Sequence, residues 1–250
     1  MTLDILRCNS NLIKGEDLKW CSGDGIKDYK KNRKLLGPEW RYYNSLDLTY
    51  NLNSYGYRAK EFNEYNWSKS TLFFGCSHVF GTGVHNQHTI PSQYEELTGT
   101  PSINMGVTAG STDCAHHNTH ACIEANYIPK QVVIIWPGPI RSIQYHDEGF
   151  TNIGSWSTGK YRKVFEQYIS YDEHYITKSY LLQQSIIESW KAYGVKVYGF
   201  NIWQEKFTDN DFLVSYPTIK DDQYVDKARD CGHNGPLTNK NWAELVVNTT

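Results

Sequence analysis

The chain has 250 residues, 39% hydrophobic and 21% charged, with 25 Lys and Arg against 27 Asp and Glu. A formal charge of −2 gives no global field for nucleic acid or an anionic membrane, and no apolar run is long enough to read as a membrane span. The start, "MTLDILRCNSN", lacks the basic head, long apolar stretch and small-residue cleavage site of a secretion signal, so the six cysteines are expected as reduced thiols.

In chain order, residues 1–65 are polar and aromatic with weak periodicity. They read as an irregular, partly β extension that packs on a main domain of residues 66–250. Within it, "KDYKKNRK" (27–34) reads as a solvated helix face and "YYNSLDLTYNLNSYGYRAKEF" (42–62) mixes strand formers with turn residues. From Ser70 onward the pattern becomes regular. "TLFFG" (71–75) predicts a buried strand. "TIPSQYEELTG" (89–99) predicts a helix, with Pro91 in its first turn and Gly99 past its end. "SINMG" (102–106) is a short strand, and residues 111–127 are a helix capped by Ser111 or Thr112. "QVVIIW" (131–136) is the unbroken apolar run of a strand covered on both faces. Residues 178–194 repeat apolar positions at helical spacing, 195–203 form another strand, and 239–248 a final helix. Strands alternating with helices imply a three-layer α/β/α sandwich with a mainly parallel sheet.

In such a sheet the chemistry sits at the carboxyl ends of the strands. Those ends carry "GCSH" (75–78), Gly106, "PGPIR" (137–141) and, before the last helix, "DCGHNGP" (230–236). Ser77 follows its strand and heads a helical segment, where a backbone N–H favours negative charge. A hydroxyl needs a base to take its proton, and His233 with Asp230 three residues earlier is the best candidate. The carboxylate can set the imidazole's tautomer and leave the far nitrogen for Ser77. Gly106 and Ser77 could supply two N–H arms of an oxyanion hole.

At this point the chain resembles the SGNH (GDSL-type) hydrolases. "GCS" with Ser77 matches the family's first block, Gly106 in "INMGVTAGSTD" the second, and Asp230 and His233 the last, over about residues 70–247. The resemblance implies a flavodoxin-like layout and ester hydrolysis through an acyl-enzyme, without metal or organic cofactor. The substrate would be a small ester or an acylated carbohydrate, with no nucleic-acid partner and a cytoplasmic or virion-associated location. Two positions depart from the family. Cys76 stands where it has aspartate. "WPGPIRS" lacks the third-block asparagine, which leaves Gly138 to keep the turn and Arg141 as a substitute donor or a holder of an acidic substrate group. Losing one oxyanion donor typically costs about 10²–10³ in kcat, which fits a slow or specialised enzyme.

Each residue has a plainer reading. Ser77 can cap a helix, Asp230 and His233 can brace a loop, and Gly106 can serve a turn. His78 can touch substrate or pack. His116 and His120, four apart with Cys114 and His117 nearby, could form a metal site, although no acidic partner accompanies them. Cys76 could be a thiol nucleophile, but neighbours in an extended segment point oppositely. Arg58 in "NSYGYRAKEF" reads as a tie between extension and domain. The alternative function is a non-catalytic glycan-binding or structural module on the same scaffold, for example in a viral or surface-polysaccharide assembly.

Overall fold

The computed structural model describes residues 4–6, 18–146, 149–169, 172–202 and 224–250. Helix α1 (Ile26–Leu36) precedes strand β1 (Thr71–Gly75), helix α2 (Ser77–Phe80) and helix α3 (Ile90–Thr98). Strand β2 (Ser102–Gly106), helix α4 (Thr112–Glu124) and strand β3 (Gln131–Trp136) follow. A hairpin of β4 (Ser142–His146) and β5 (Gly149–Ile153) leads to α5 (Gly159–Ile169), α6 (Asp172–Ala192), β6 (Lys196–Asn201) and α7 (Pro236–Thr249).

β1, β2, β3 and β6 make one parallel sheet in the order β2-β1-β3-β6. Alternation along the strands divides its side chains between two cores. Leu72, Phe74, Ile103, Met105, Val132 and Ile134 meet Cys122 of α4 and Ile186 and Trp190 of α6. Phe73, Val133, Ile135 and Phe200 meet Ile90 and Tyr94 of α3 and Trp242 and Val246 of α7. Helices therefore cover both faces, and "QVVIIW", apolar from Val132 to Trp136, is the buried β3. Each large apolar side chain so buried contributes roughly 1.5–3 kcal/mol. No helix among the described residues is long and apolar enough to cross a membrane.

Three sequence expectations need correction. The last helix begins at Pro236 rather than Asn239. Proline occupies its first turn, and the Asp226 carboxylate accepts from the N–H groups of Leu237 and Thr238, a cap ten residues upstream. α6 begins at Asp172, six residues before the periodic pattern. Residues 42–62 hold only one isolated bridge, Leu18 with Tyr50, plus side-chain-built turns. That stretch is bound into the main body by burial, because Leu48, Tyr50 and Leu52 pack on Phe80, and Tyr57 and Phe62 join the larger core. The predicted strand over 195–203 is β6, and residue 203 lies outside the described residues. The β4–β5 hairpin and α5 correspond to no expectation from the sequence.

Candidate active site

Ser77 is the first residue of α2, directly after the turn that ends β1. Its N–H has no intrahelical acceptor at that position. Cys76, at the N-cap, is fully buried. That leaves Ser77 as the side chain presented at the strand end, at 8% exposure.

The partner comes from the far end of the chain. The segment 226–235 folds back on itself: Lys227 bridges Asn234, and the Ala228 N–H donates to the His233 carbonyl at 2.9 Å. Cys231 turns the chain with φ 62°. Within this loop the Asp230 carboxylate accepts from the His233 backbone N–H at 3.2 Å and meets its Nδ1 at 2.5 Å. With the proton held on Nδ1, the Nε2 lone pair faces the Ser77 hydroxyl, 2.7 Å away. The His233 side chain is 19% exposed and that of Asp230 6%, so the imidazole reaches solvent and its carboxylate does not.

Gly106 takes a different place from the one expected. In the parallel register Gly106 stands opposite Gly75, and it is the next N–H, that of Val107, which donates to the Gly75 carbonyl, at 3.0 Å. The Gly106 N–H is consumed by the Asn104 side-chain oxygen at 2.9 Å, while the Asn104 amide donates to the Val79 carbonyl at 3.0 Å. Gly106 is thus not an oxyanion arm. The glycine is needed for packing: a Cβ there would stand 2.3 Å from the Phe80 nitrogen and 2.8 Å from the Val79 carbonyl carbon. Because those neighbours are backbone, Gly106→Ala must push α2 off the sheet and Ser77 with it. We expect a loss of about 1–3 kcal/mol or more, read as a lower melting temperature together with weaker labelling of Ser77 by a fluorophosphonate. Wild-type values of both would show that α2 can yield.

Arg141 lies past β3, with Nη1 3.4 Å from the Gly110 carbonyl and its guanidinium 5.0 Å over the Trp156 ring. His78 packs between the His233 ring, 5.1 Å away, and Trp242, 5.7 Å away. Burial, then the charges of His233 and Arg141, push its imidazole down to about 3 from the ordinary 6.5, with Asn234 weakly opposing. In the window between those two values the unfolded chain binds the extra proton, so stability rises with pH and is lost as pH falls. The melting temperature is accordingly expected to drop on acidification from about pH 6.5 to 4, and His78→Gln to flatten that slope. An identical slope in the variant would assign it to other groups.

Several residues that hold the site were invisible as such in the sequence. Arg229, next to Asp230, is fully buried. Its Nη2 and Nε meet the Asp24 carboxylate at 2.6 and 3.1 Å, and it donates to the carbonyls of Ser45 at 2.8 Å and Lys19 at 2.7 Å. Its plane lies 4.2 Å over Trp20. Tyr50 donates to Asp24 and accepts the Gly83 N–H, while the Gly83 carbonyl accepts the Arg229 N–H. One network therefore ties the N-terminal segment, the turn after Ser77 and the Asp230–His233 loop. Arg58 adds to it, donating to Gly81 and Val84 carbonyls at 2.7 and 2.9 Å on that same turn. Gly23, in the Cys21–Asp24 turn, backs the imidazole edge, with 3.4 Å from where a side chain would begin to His233 Cε1. Arg58 is the tie between extension and domain that the sequence suggested; for Asp24 and Gly23 the sequence offered no more than the turn-like "CSGDG" (21–25).

His116 and His120 do converge on one face of α4, Nε2 to Nε2 at 3.3 Å, with Ser185 Oγ 3.0 Å from His116. Among the described residues no group of three or more metal-ligating side chains assembles. Cys21, Cys76, Cys114, Cys122 and Cys231 are free thiols.

The fold and the site together define a class: a three-layer α/β/α protein with a serine–histidine–aspartate hydrogen-bond relay at the carboxyl ends of its parallel strands. No protein-family model matches the chain, and no match is found among curated proteins.

Proposed function

We propose that this protein is a serine ester hydrolase of the SGNH type, acting through an acyl-enzyme on short-chain esters such as the O-acetyl groups of carbohydrates. The observation that carries the proposal is the unbroken relay from Ser77 Oγ to His233 Nε2 at 2.7 Å and from His233 Nδ1 to Asp230 at 2.5 Å. Ser77 attacks the ester carbonyl while His233 takes its proton. Asp230 holds the tautomer and stabilises the imidazolium. The Ser77 N–H, at the head of α2, faces the developing oxyanion. Collapse expels the alcohol, which takes the proton from His233. Water then repeats the sequence, and the acid leaves with Ser77 restored.

Labelling is the direct test, because a fluorophosphonate reacts only with an activated hydroxyl. Peptide mapping is expected to find the label on Ser77, and an unlabelled Ser77 in folded protein would refute the proposal.

A second reading draws on one observation. The Gly106 N–H is taken by Asn104, and the third-block asparagine is absent from "WPGPIRS". With fewer oxyanion donors the scaffold could serve as a glycan-binding module that has lost efficient chemistry. Glycan binding with no Ser77-dependent turnover would select it.

A further inference from the structure

We infer that the cleft between residues 58–65 of the N-terminal extension and helix α3 is a binding site for an uncharged saccharide, separate from the Ser77 relay. The inference does not depend on the hydrolase reading.

The first observation is a preformed floor. The cleft has a volume of about 620 Å³ and is lined by Arg58 and Lys60 of the extension, Glu95 and Glu96 of α3, and Ser102 and Asn104 of β2, at one edge of the sheet. That volume lies within the range of roughly 300–1,000 Å³ in which small-ligand sites fall. Arg58, Ser102 and Asn104 are 3, 9 and 4% exposed, and each is held in place. Arg58 donates to the carbonyls of Thr49, Gly81 and Val84. Ser102 donates from its N–H and its hydroxyl to Glu95 Oε2, at 2.8 and 3.0 Å. Asn104 spans the Val79 carbonyl and the Gly106 N–H. Ser77, Asp230 and His233 take no part in the lining, although Arg58 and Asn104 both hold the segment that begins at Ser77.

The second observation is unspent polar capacity. Lys60, Asn86, Gln87, Glu95 and Glu96 are exposed on the lining. The Lys60 ammonium and the side-chain amides of Asn86 and Gln87 have no partner among the described residues. Glu95 uses Oε2 on Ser102, and Glu96 uses Oε2 on Gln93 at 3.2 Å, which leaves each carboxylate a second oxygen. Tyr65 accepts the Lys60 N–H at 3.1 Å and keeps its own O–H to donate. Donors and acceptors are both left over around one locked floor.

The third observation is charge. Arg58 and Lys60 on the lining match Glu95 and Glu96 in number, and no ion pair joins the two sets among the described residues. An anionic ligand therefore meets two carboxylates and a cationic one meets two cations, so either charge finds repulsion. Apolar lining is limited to Ala59, Pro91 and the Tyr65 ring, too little for a lipid. A hydroxyl donates and accepts at a single atom, so a neutral polyol engages both kinds of leftover group. In a cleft of this size that polyol is a sugar or short oligosaccharide.

The test uses four neutral trisaccharides: maltotriose, cellotriose, mannotriose and triacetylchitotriose. Binding to the full chain is measured by saturation-transfer NMR and calorimetry. At least one is expected to bind with a Kd below about 1 mM. Lys60→Ala combined with Glu96→Ala, two exposed changes that should leave the melting temperature in place, is expected to weaken it at least about tenfold. Gln87→Ala alone is expected to cost about threefold, an independent reading should the double variant fold poorly. Ser77→Ala should leave the affinity as it was. The cleft assignment is overturned if none of the four binds at about 10 mM, if the variants in the cleft keep wild-type affinity, or if Ser77→Ala abolishes binding, which would put the sugar at the relay. Failure of the hydrolase reading looks different: Ser77 would stay unlabelled by a fluorophosphonate while the sugar still bound.

Discussion

Ser77→Ala is expected to lower kcat toward a short-chain nitrophenyl ester by about 10⁴–10⁶-fold while leaving the melting temperature nearly unchanged. The size follows from the relay. In the proposed reaction His233 and Asp230 act only through the Ser77 hydroxyl, so removing one oxygen would silence all three. What survives is binding and the α2 head, which account for a residual rate over water. Stability is spared because the lost bond is a single contact at a partly open site, worth about 1 kcal/mol, and alanine fits the helix better than serine. The measurement is initial rate against protein concentration for the two proteins, with thermal melts beside them. Turnover by the alanine protein within tenfold of wild type would take Ser77 out of the chemistry and leave the glycan-binding reading in its place.

Asp24→Ala is expected to be the most damaging change outside the relay, costing about 3–5 kcal/mol. Arg229 and Asp24 have side chains 0% and 1% exposed. Removing the carboxylate strands a guanidinium that cannot reach water, and it also takes away the acceptor for the Tyr50 hydroxyl. For a chain of this size the expected fall in melting temperature is roughly 6–20 °C. Activity should decline ahead of unfolding, because Arg229 adjoins Asp230 and its N–H is bonded to Gly83 on the turn after Ser77. A double change, Asp24→Leu with Arg229→Met, is expected to recover much of the stability, since both charges leave together. A melting temperature within about 2 °C of wild type for Asp24→Ala would mean that the Ser45 and Lys19 carbonyls suffice to hold the cation.

The two effects separate chemistry from architecture. Ser77→Ala should give a stable, silent protein. Asp24→Ala should give an unstable one whose activity falls ahead of its folded fraction. The N-terminal segment thereby becomes part of the site's construction: it holds the loop that carries the base and lies against the imidazole through Gly23.

What residue order alone revealed was local in origin. β1, β2 and β3 fall where their apolar runs lie, and α3 lies between Thr89, which accepts from Ser92 at its N-cap, and Gly99 in the left-handed region. Such elements are legible because burial on both faces and end-capping write themselves into adjacent residues. Ser77, Asp230 and His233 were legible as types placed at strand ends and on a glycine-bounded loop. That they meet was not, since 156 positions separate Ser77 from His233 and only the winding of the sheet brings them to 2.7 Å. The same holds for Asp24 and Arg229, 205 positions apart, whose pairing no periodicity records. Gly106 shows the opposite limit. Its presence at the end of β2 was plain from the sequence, but the direction of its N–H depends on which edge of β2 pairs with β1, and that pairing leaves it to the Asn104 side chain. Pattern records what a residue's neighbours along the chain require; long-range contact and hydrogen-bond direction belong to the packed molecule, because they are set by partners that the pattern does not contain.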